Sequence, residues 1–400
     1  MHKPIAPLAI TAHTLTSALG QGIQAHRDAV AGMRSALHPN DFSLEPLECH
    51  IGRVDAIESS TLPEAHHKWD CRNNRLAWLG LQQDGMLDAI RAARQQYGSR
   101  RIALLIGTST GSIDSTEQGY RRLDRGRLPE DLRNPAIHCL HSTADFLIDA
   151  LDLDGPASTI STACSSSAKV FAMAERMIRL DLVDAALVGG VDSLCHSVLF
   201  GFNSLQLVSR HACRPFDVAR DGISIGEAAG FALLERVDQA PAAPRLAGWG
   251  ESSDAWHMST PHPEGLGAEL AMCAAMQRAG LAAESIDYIN LHGTATPKND
   301  EVEAQLVARL FPEHTRASST KGYTGHCLGA AGIVEAGMSL LALEHGLVPG
   351  TAGCRQLDPL CGPQLVLETE HRAVRTALSN SFGFGGNNAC LAFVQGGGQA

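Results

Sequence analysis

Residues 161–180 read STACSSSAKVFAMAERMIRL. Small polar residues surround Cys164, and an apolar helical pattern begins within a few positions, so the stretch reads as a turn that opens a helix. A cysteine there lies beside the unpaired N–H groups and positive dipole end of that helix, which is expected to stabilise its thiolate. Small neighbours also let a substrate carbonyl approach the backbone N–H of Cys164, which could donate to an oxyanion. A buried, inert cysteine on a serine-rich helix cap fits the same residues, and the stretch alone leaves both readings open.

Outward from this turn, short buried runs alternate with helical patterns: RIALLIGTS (101–109), DAALVGGVDS (184–193), DYINLHGT (287–294) and AVRTALSNS (373–381). This is an α/β layout with helices covering sheets. The best boundary is QAPAAPRL at 239–246, where Pro and Ala replace periodic pattern, giving halves at 1–240 and 241–400. The halves echo one another. Cys164 precedes the helix running through VFAMAERMIRL, and His326 sits on a polar turn before LGAAG and the helix IVEAGMSLLALEHG. A duplicated fold would bring both turns to one centre.

The chain has 400 residues, 44% hydrophobic, enough for a large core. A net charge of -11 argues against a general nucleic-acid binder. No apolar run approaches the roughly 18 to 20 residues that span a bilayer, and no leader pattern opens the chain, so a soluble, cytoplasmic protein is expected. The 11 cysteines show no CxxC pair, which fits neither a disulfide scaffold nor a zinc site; no metal is expected.

Three further stretches stand out. In LHGTATPKNDEVEAQ (291–305), His292 follows a buried strand and can project from its end into a cleft. STKGYTGHCLGAAGIVEAG (319–337) sets Lys321 five residues before His326, with Glu335 on the next helix. SNSFGFGGNNACLAF (379–393) is a glycine-dense turn between apolar strands, by itself an ordinary hairpin.

Together these motifs resemble the β-ketoacyl-[acyl-carrier-protein] synthases of the thiolase superfamily, in particular the Cys-His-His elongating branch. The resemblance runs from ITAHTLTSALGQG through CRPFDVARDGISIGEAAGFALLE (213–235) to the GFGG turn. It implies a duplicated thiolase-like fold of five layers, αβαβα, and decarboxylative condensation of an acyl group on Cys164 with a malonyl unit. His292 and His326 would donate hydrogen bonds to the malonyl thioester carbonyl, best as neutral imidazoles. Lys321 would hold charge around them, with Glu335 as its structural partner. The N–H groups of Cys164 and Phe384 would form the oxyanion hole, with Phe384 also the gate and Gly383 and Gly385 its support.

The family carries no cofactor of its own; 4'-phosphopantetheine arrives on the acyl carrier protein, the implied partner. An acidic carrier needs clustered cations, which GYRRLDRGR (119–127) supplies as Arg121, Arg122, Arg125 and Arg127, and KWDCRNNR as Lys68, Arg72 and Arg75. A solvated helix face is the plainer reading of such runs. A dimer is implied, either of identical chains or with a chain-length-factor-like ketosynthase.

Three departures bear on the pathway. SSSA after Cys164 is similar to polyketide enzymes, GGNN replaces the more usual GGTN, and Thr110 in GTSTGS stands where the family tunes acyl length. An enzyme extending polyene chains, as in aryl polyene pigment clusters, is therefore expected beside the fatty acid and type II polyketide alternatives. A thiolase would need a second catalytic cysteine, for which Cys390 inside a predicted strand is poorly placed. A chain-length factor would lack the nucleophile, and a type III initiating synthase would show a His-Asn pair.

Overall fold

The computed structural model describes residues 3–397. Five strands form the first half of the main sheet: β1 (Leu8–Ser17), β2 (Ile102–Gly107), β3 (Ala157–Ile160), β4 (Ala185–Asp192) and β5 (Ala228–Arg236). Five form the second: β6 (Arg245–Ser253), β7 (Tyr288–Asn290), β8 (Arg316–Ser318), β9 (Thr376–Gly383) and β10 (Asn387–Val394). In the first half the spatial order is β1-β5-β4-β2-β3, antiparallel across its first two junctions and parallel across its last two. The second half repeats this as β6-β10-β9-β7-β8, with the same directions at the corresponding junctions. The echo between the two turns is therefore an echo of two whole sheets, which meet edge to edge where Leu8 and Ala9 of β1 pair with Leu246 and Arg245 of β6.

The helices that matter here are α1 (Arg72–Leu81), α2 (Met86–Tyr97), α3 (Ile113–Arg121), α4 (Ser142–Leu151), α5 (Ser166–Arg179), α6 (His196–Ser204), α7 (Leu266–Ala279), α8 (Pro297–Leu310) and α9 (Ala331–His345). The central layer is α5 packed on α9, each touching strands of both halves. Every residue of α9 from Ala331 to Leu343 is buried, which explains its apolar, small-residue sequence without a polar stripe. Outside the first half lie α1, α2 and α4, and outside the second lies α7. The layers are thus α, β, α, β, α, as the resemblance implies.

Glycine sets the closeness of the central layer. A Cβ on Gly332 would stand 2.5 Å from the Ala168 nitrogen, and one on Gly107 would stand 2.4 Å from the Ser167 nitrogen. Helix α5 can therefore settle onto both the end of β2 and the start of α9. The N–H of Ile333 donates to Ser167 Oγ at 2.9 Å, tying the starts of the two central helices together.

Candidate active site

Cys164 lies between the end of β3 and the start of α5, and His326 lies between the end of β8 and the start of α9. They occupy equivalent turns of the two halves. Each turn bends through a left-handed residue, Ala163 (φ 53°) and Leu328 (φ 53°). The bends bring His326 Nε2 to 3.0 Å from Cys164 Sγ. His292, just past β7, meets His326 edge to face with ring centroids 5.5 Å apart. The hairpin turn joining β9 to β10 completes the group, and the backbone N–H of Phe384 donates to Cys164 Sγ.

Both histidine tautomers follow from what faces Nδ1. The Leu328 N–H donates to His326 Nδ1 at 3.3 Å, and Lys321 Nζ lies 3.3 Å from His292 Nδ1. An Nδ1 that accepts leaves the ring proton on Nε2. Both Nε2–H groups then serve as donors in the cavity that also holds the thiol. Burial, reinforced by the Lys321 charge, holds both imidazoles well below the ordinary histidine range, so both are neutral.

Lys321 is buried, and its ammonium is shared between the Glu335 carboxylate and the His292 carbonyl oxygen. Burial pushes Glu335 up to about 7, against the opposing pull of Lys321. The Ser381 hydroxyl adds a bond to the other Glu335 oxygen at 3.3 Å.

The thiol departs from expectation. Burial pushes Cys164 up to about 11, although the Lys321 charge and the Phe384 N–H both pull it down. Loss of solvent outweighs the helix end, and the resting nucleophile is a neutral thiol rather than a thiolate.

The ligand atoms of Cys164, His292 and His326 all lie within 4.8 Å of one another, a spacing a metal could use. The hydrogen bonding does not suit one. Coordination through Nε2 would move each ring proton to Nδ1, against the Leu328 N–H on one ring and the Lys321 ammonium on the other. The set is built to donate hydrogen bonds.

Two braces went unread in the sequence. Glu303, eleven residues past His292 on α8, accepts from the His292 and Gly293 N–H groups at 2.8 Å each. Asp192, at the end of β4, accepts from Thr108 Oγ1 (2.7 Å), Ser109 Oγ (2.6 Å), Thr110 N (2.8 Å) and the Gly329 N–H. One carboxylate thus holds the His292 loop, and the other ties the end of β2 to the turn after His326. The one signal for Glu303 lies in HGTATPKNDEVEAQ, an acid nearly two turns into a helix that follows a strand end. Asp192 offered no signal, because its donors come from two segments far from it in sequence, 108–110 and Gly329.

A cavity of about 210 Å³ opens from Cys164, His292 and His326 to the surface past Phe202, Thr294 and Phe384. The Phe384 ring rests against Phe202 with centroids 5.4 Å apart. Gly385 and Gly386 adopt φ of 75° and 71°, and Gly383 packs where a Cβ would stand 3.2 Å from the Cys164 nitrogen. Thr110 does not line this cavity. It is buried, and its hydroxyl donates to Asp192 at 2.7 Å, so its polarity serves the brace.

The basic residues divide. Arg72 is largely buried, bound by Glu227 at 2.6 Å and Glu58 at 2.6 Å, and its guanidinium holds the fold instead of facing a partner. Arg75 pairs with Asp70. Lys68 is exposed near Asp149, while Arg121, Arg122, Arg125 and Arg127 are exposed. Asn134, seven residues past the arginine-rich run, donates to the Lys68 carbonyl. Cys390 is buried within β10, opposite Gly250 of β6 and Asn380 of β9, away from the cavity lining.

Residues 76–240 match the β-ketoacyl synthase N-terminal domain, and residues 244–355 match the β-ketoacyl synthase C-terminal domain. The chain belongs to the β-ketoacyl synthase family. It is 36% identical over 339 residues to the mitochondrial 3-oxoacyl-[acyl-carrier-protein] synthase of Arabidopsis thaliana, covering 78% of this chain and 72% of that protein. It superposes on the ketosynthase ApeO, solved in complex with its chain length factor ApeC from Xenorhabdus doucetiae, with a TM-score of 0.90, 38% identity and 98% of both chains covered. The ishigamide ketosynthase/chain length factor gives a TM-score of 0.89 at 26% identity, over 98% of this chain and 100% of that one. Among the described residues no helix is long and apolar enough to cross a membrane.

Proposed function

We propose that this β-ketoacyl synthase joins an acyl group held on Cys164 to malonyl-[acyl-carrier protein], giving 3-oxoacyl-[acyl-carrier protein] and CO2. The observation that supports it is the pair of neutral Nε2–H donors sharing one cavity with a buried thiol. In the first step Cys164 Sγ attacks the acyl thioester carbonyl. The oxyanion accepts from the N–H groups of Cys164 and Phe384, and the pantetheine thiol leaves with the thiol's proton. In the second, the malonyl thioester carbonyl accepts from both histidines. Loss of CO2 leaves an enolate whose oxygen they stabilise, and its carbon attacks the acyl-cysteine, freeing Cys164. Neutral donors suit this step, because they stabilise the enolate oxygen without protonating it. Lys321 polarises His292 through Nδ1, and burial together with its charge keeps both rings uncharged.

The kinship with ApeO favours an aryl polyene chain over a housekeeping fatty acid as the product. Neighbours solved with chain length factors favour a heterodimer. In this chain β3 is the outer strand of its half, and Leu140 is exposed beside His141, which bonds Thr159 of β3; this suits pairing with such a partner. The acidic carrier would approach the arginines of 121–127.

The test is incubation with malonyl-carrier protein and a panel of acyl-carrier proteins, followed by mass spectrometry of Cys164 and of the products. Acyl adducts on Cys164 and 3-oxoacyl products extended by two carbons are expected. Products without CO2 release, or elongation surviving in Cys164→Ala, overturn the assignment.

A further inference from the structure

One continuous segment lines the cavity from floor to rim: His292, Thr294, Thr296, Pro297 and Lys298 all border it. Exposure rises along it, from 2% at His292 and 6% at Thr294 to a Lys298 side chain that is 69% exposed. The charged groups on the wall have unequal freedom. Asp254 is committed: one oxygen accepts from Asn388 Nδ2 at 2.8 Å and the other from the His262 N–H at 3.1 Å. Lys298 has a carboxylate partner in Glu301 at 3.2 Å, a surface pair three residues apart that costs little to exchange. The rim therefore presents an exchangeable ammonium above a deep thiol.

Resting on the reading above, we infer that Lys298 binds the phosphate of the phosphopantetheine arm, so that the cavity mouth selects phosphorylated thioesters over phosphate-free ones. The arm carries its thioester at one end and its phosphate at the other. A thioester that reaches buried Cys164 threads the cavity and leaves the phosphate at the mouth. The chain carries a net charge of -11, so an anionic arm gains nothing from the protein as a whole and needs a local cation. Lysine suits this as a point charge on a flexible stem.

The experiment compares acylation of Cys164 by hexanoyl-phosphopantetheine and by hexanoyl-pantetheine, which differ only in the phosphate, with intact-protein mass as the readout at low salt. The quantity read is the ratio of the two rates, which cancels any general damage from a substitution. The wild-type ratio is expected to favour the phosphorylated thioester about two- to fivefold, the range of one exposed, exchangeable charge contact, and to shrink in about 0.5 M salt. Lys298→Arg keeps the ratio, Lys298→Met brings it near one, and Lys298→Glu takes it below one. A wild-type ratio near one, or a ratio unchanged in both Lys298→Met and Lys298→Glu, overturns the inference while leaving the condensation reading in place. Acylation by neither thioester overturns that reading and the inference with it.

Discussion

The two halves share one strand order and one pair of helix-opening turns, yet they divide the chemistry unequally. The first half supplies a single reacting atom, Cys164 Sγ. The second supplies both donors, the buried cation and the gate: His292 after β7, Lys321 and His326 after β8, and Phe384 after β9. At the end of β2, where the second half has His292 past β7, the first half has Thr108, Ser109 and Thr110 bonded to Asp192. Duplication gave two equivalent sets of strand ends facing one centre. One set became machinery, and the other mainly holds it in place.

The largest effects should separate nucleophile from donors. Cys164→Ala removes the acyl acceptor but little volume, so acyl transfer should fall to background with the thermal midpoint nearly unchanged. His326 is tested in a Cys164→Gln background, which isolates malonyl decarboxylation. There His326→Ala should lower CO2 release about 100- to 1000-fold, the usual loss for one oxyanion donor, while His326→Asn retains a measurable fraction through its N–H. Equal rates in the Ala and Asn variants would mean that His326 acts only on the thiol.

Next comes the bracing in the first half. Asp192→Ala strands the N–H groups of Ser109 and Thr110 and leaves the Gly329 N–H only Ser109 Oγ, and each unsatisfied donor costs about 1 to 3 kcal/mol. Chemical denaturation should show a loss of about 3 kcal/mol or more. The purified variant should still be acylated at Cys164, because Asp192 touches no reacting atom. A variant of wild-type stability would show that the turn after His326 is held by packing alone.

How much of this was legible follows the same division. Cys164, His292 and His326 were readable because each sits in a short run of small or glycine-rich residues at a strand end, and such punctuation is local. The strand pattern was local as well. What escaped depended on long-range geometry. The thiol's raised affinity for its proton reflects burial by residues from both halves, which no helix start reveals. Arg72 looked like its basic neighbours until the fold placed Glu227 against it, 155 positions away in sequence. The bond from Thr110 to Asp192 was hidden in the same way, since the two lie 82 positions apart.

One cation favours the deprotonated form in both halves, a charged thiolate in the first and neutral imidazoles in the second, which gives a prediction of about tenfold size. The Lys321 charge lowers the Cys164 thiol and also lowers both imidazoles. Alkylation of wild-type Cys164 by iodoacetamide should climb about tenfold per pH unit from neutrality towards its limit, since only thiolate reacts. The thiol sits at about 11, so no plateau should appear below about pH 10. Lys321→Met raises the thiol further and slows alkylation about tenfold at fixed pH. It also lets the histidines take a proton more readily, so decarboxylation should acquire an acid limb at higher pH than in the wild type. A plateau near pH 8.5 in the wild type, the range of a free cysteine, would show that the helix start outweighs burial after all.

The smallest effect lies at the surface, where Arg121 and Arg122 are exposed on the last turn of α3 and the residue after it, far in role from the buried cations of the second half. Reversing both to Glu should raise KM for carrier-bound substrates about three- to tenfold and steepen no chemical step, because such charges act on encounter and orientation. Turnover of a small pantetheine thioester, which has no carrier to dock, should hardly change, and the KM difference should shrink as salt screens the surface. Arg72→Met supplies the contrast: its guanidinium is bound to Glu227 and Glu58, so its loss leaves a buried carboxylate unpaired and should lower stability instead. If the double reversal hurts both substrates equally at every salt concentration, the exposed arginines hold this region together, and the carrier docks elsewhere.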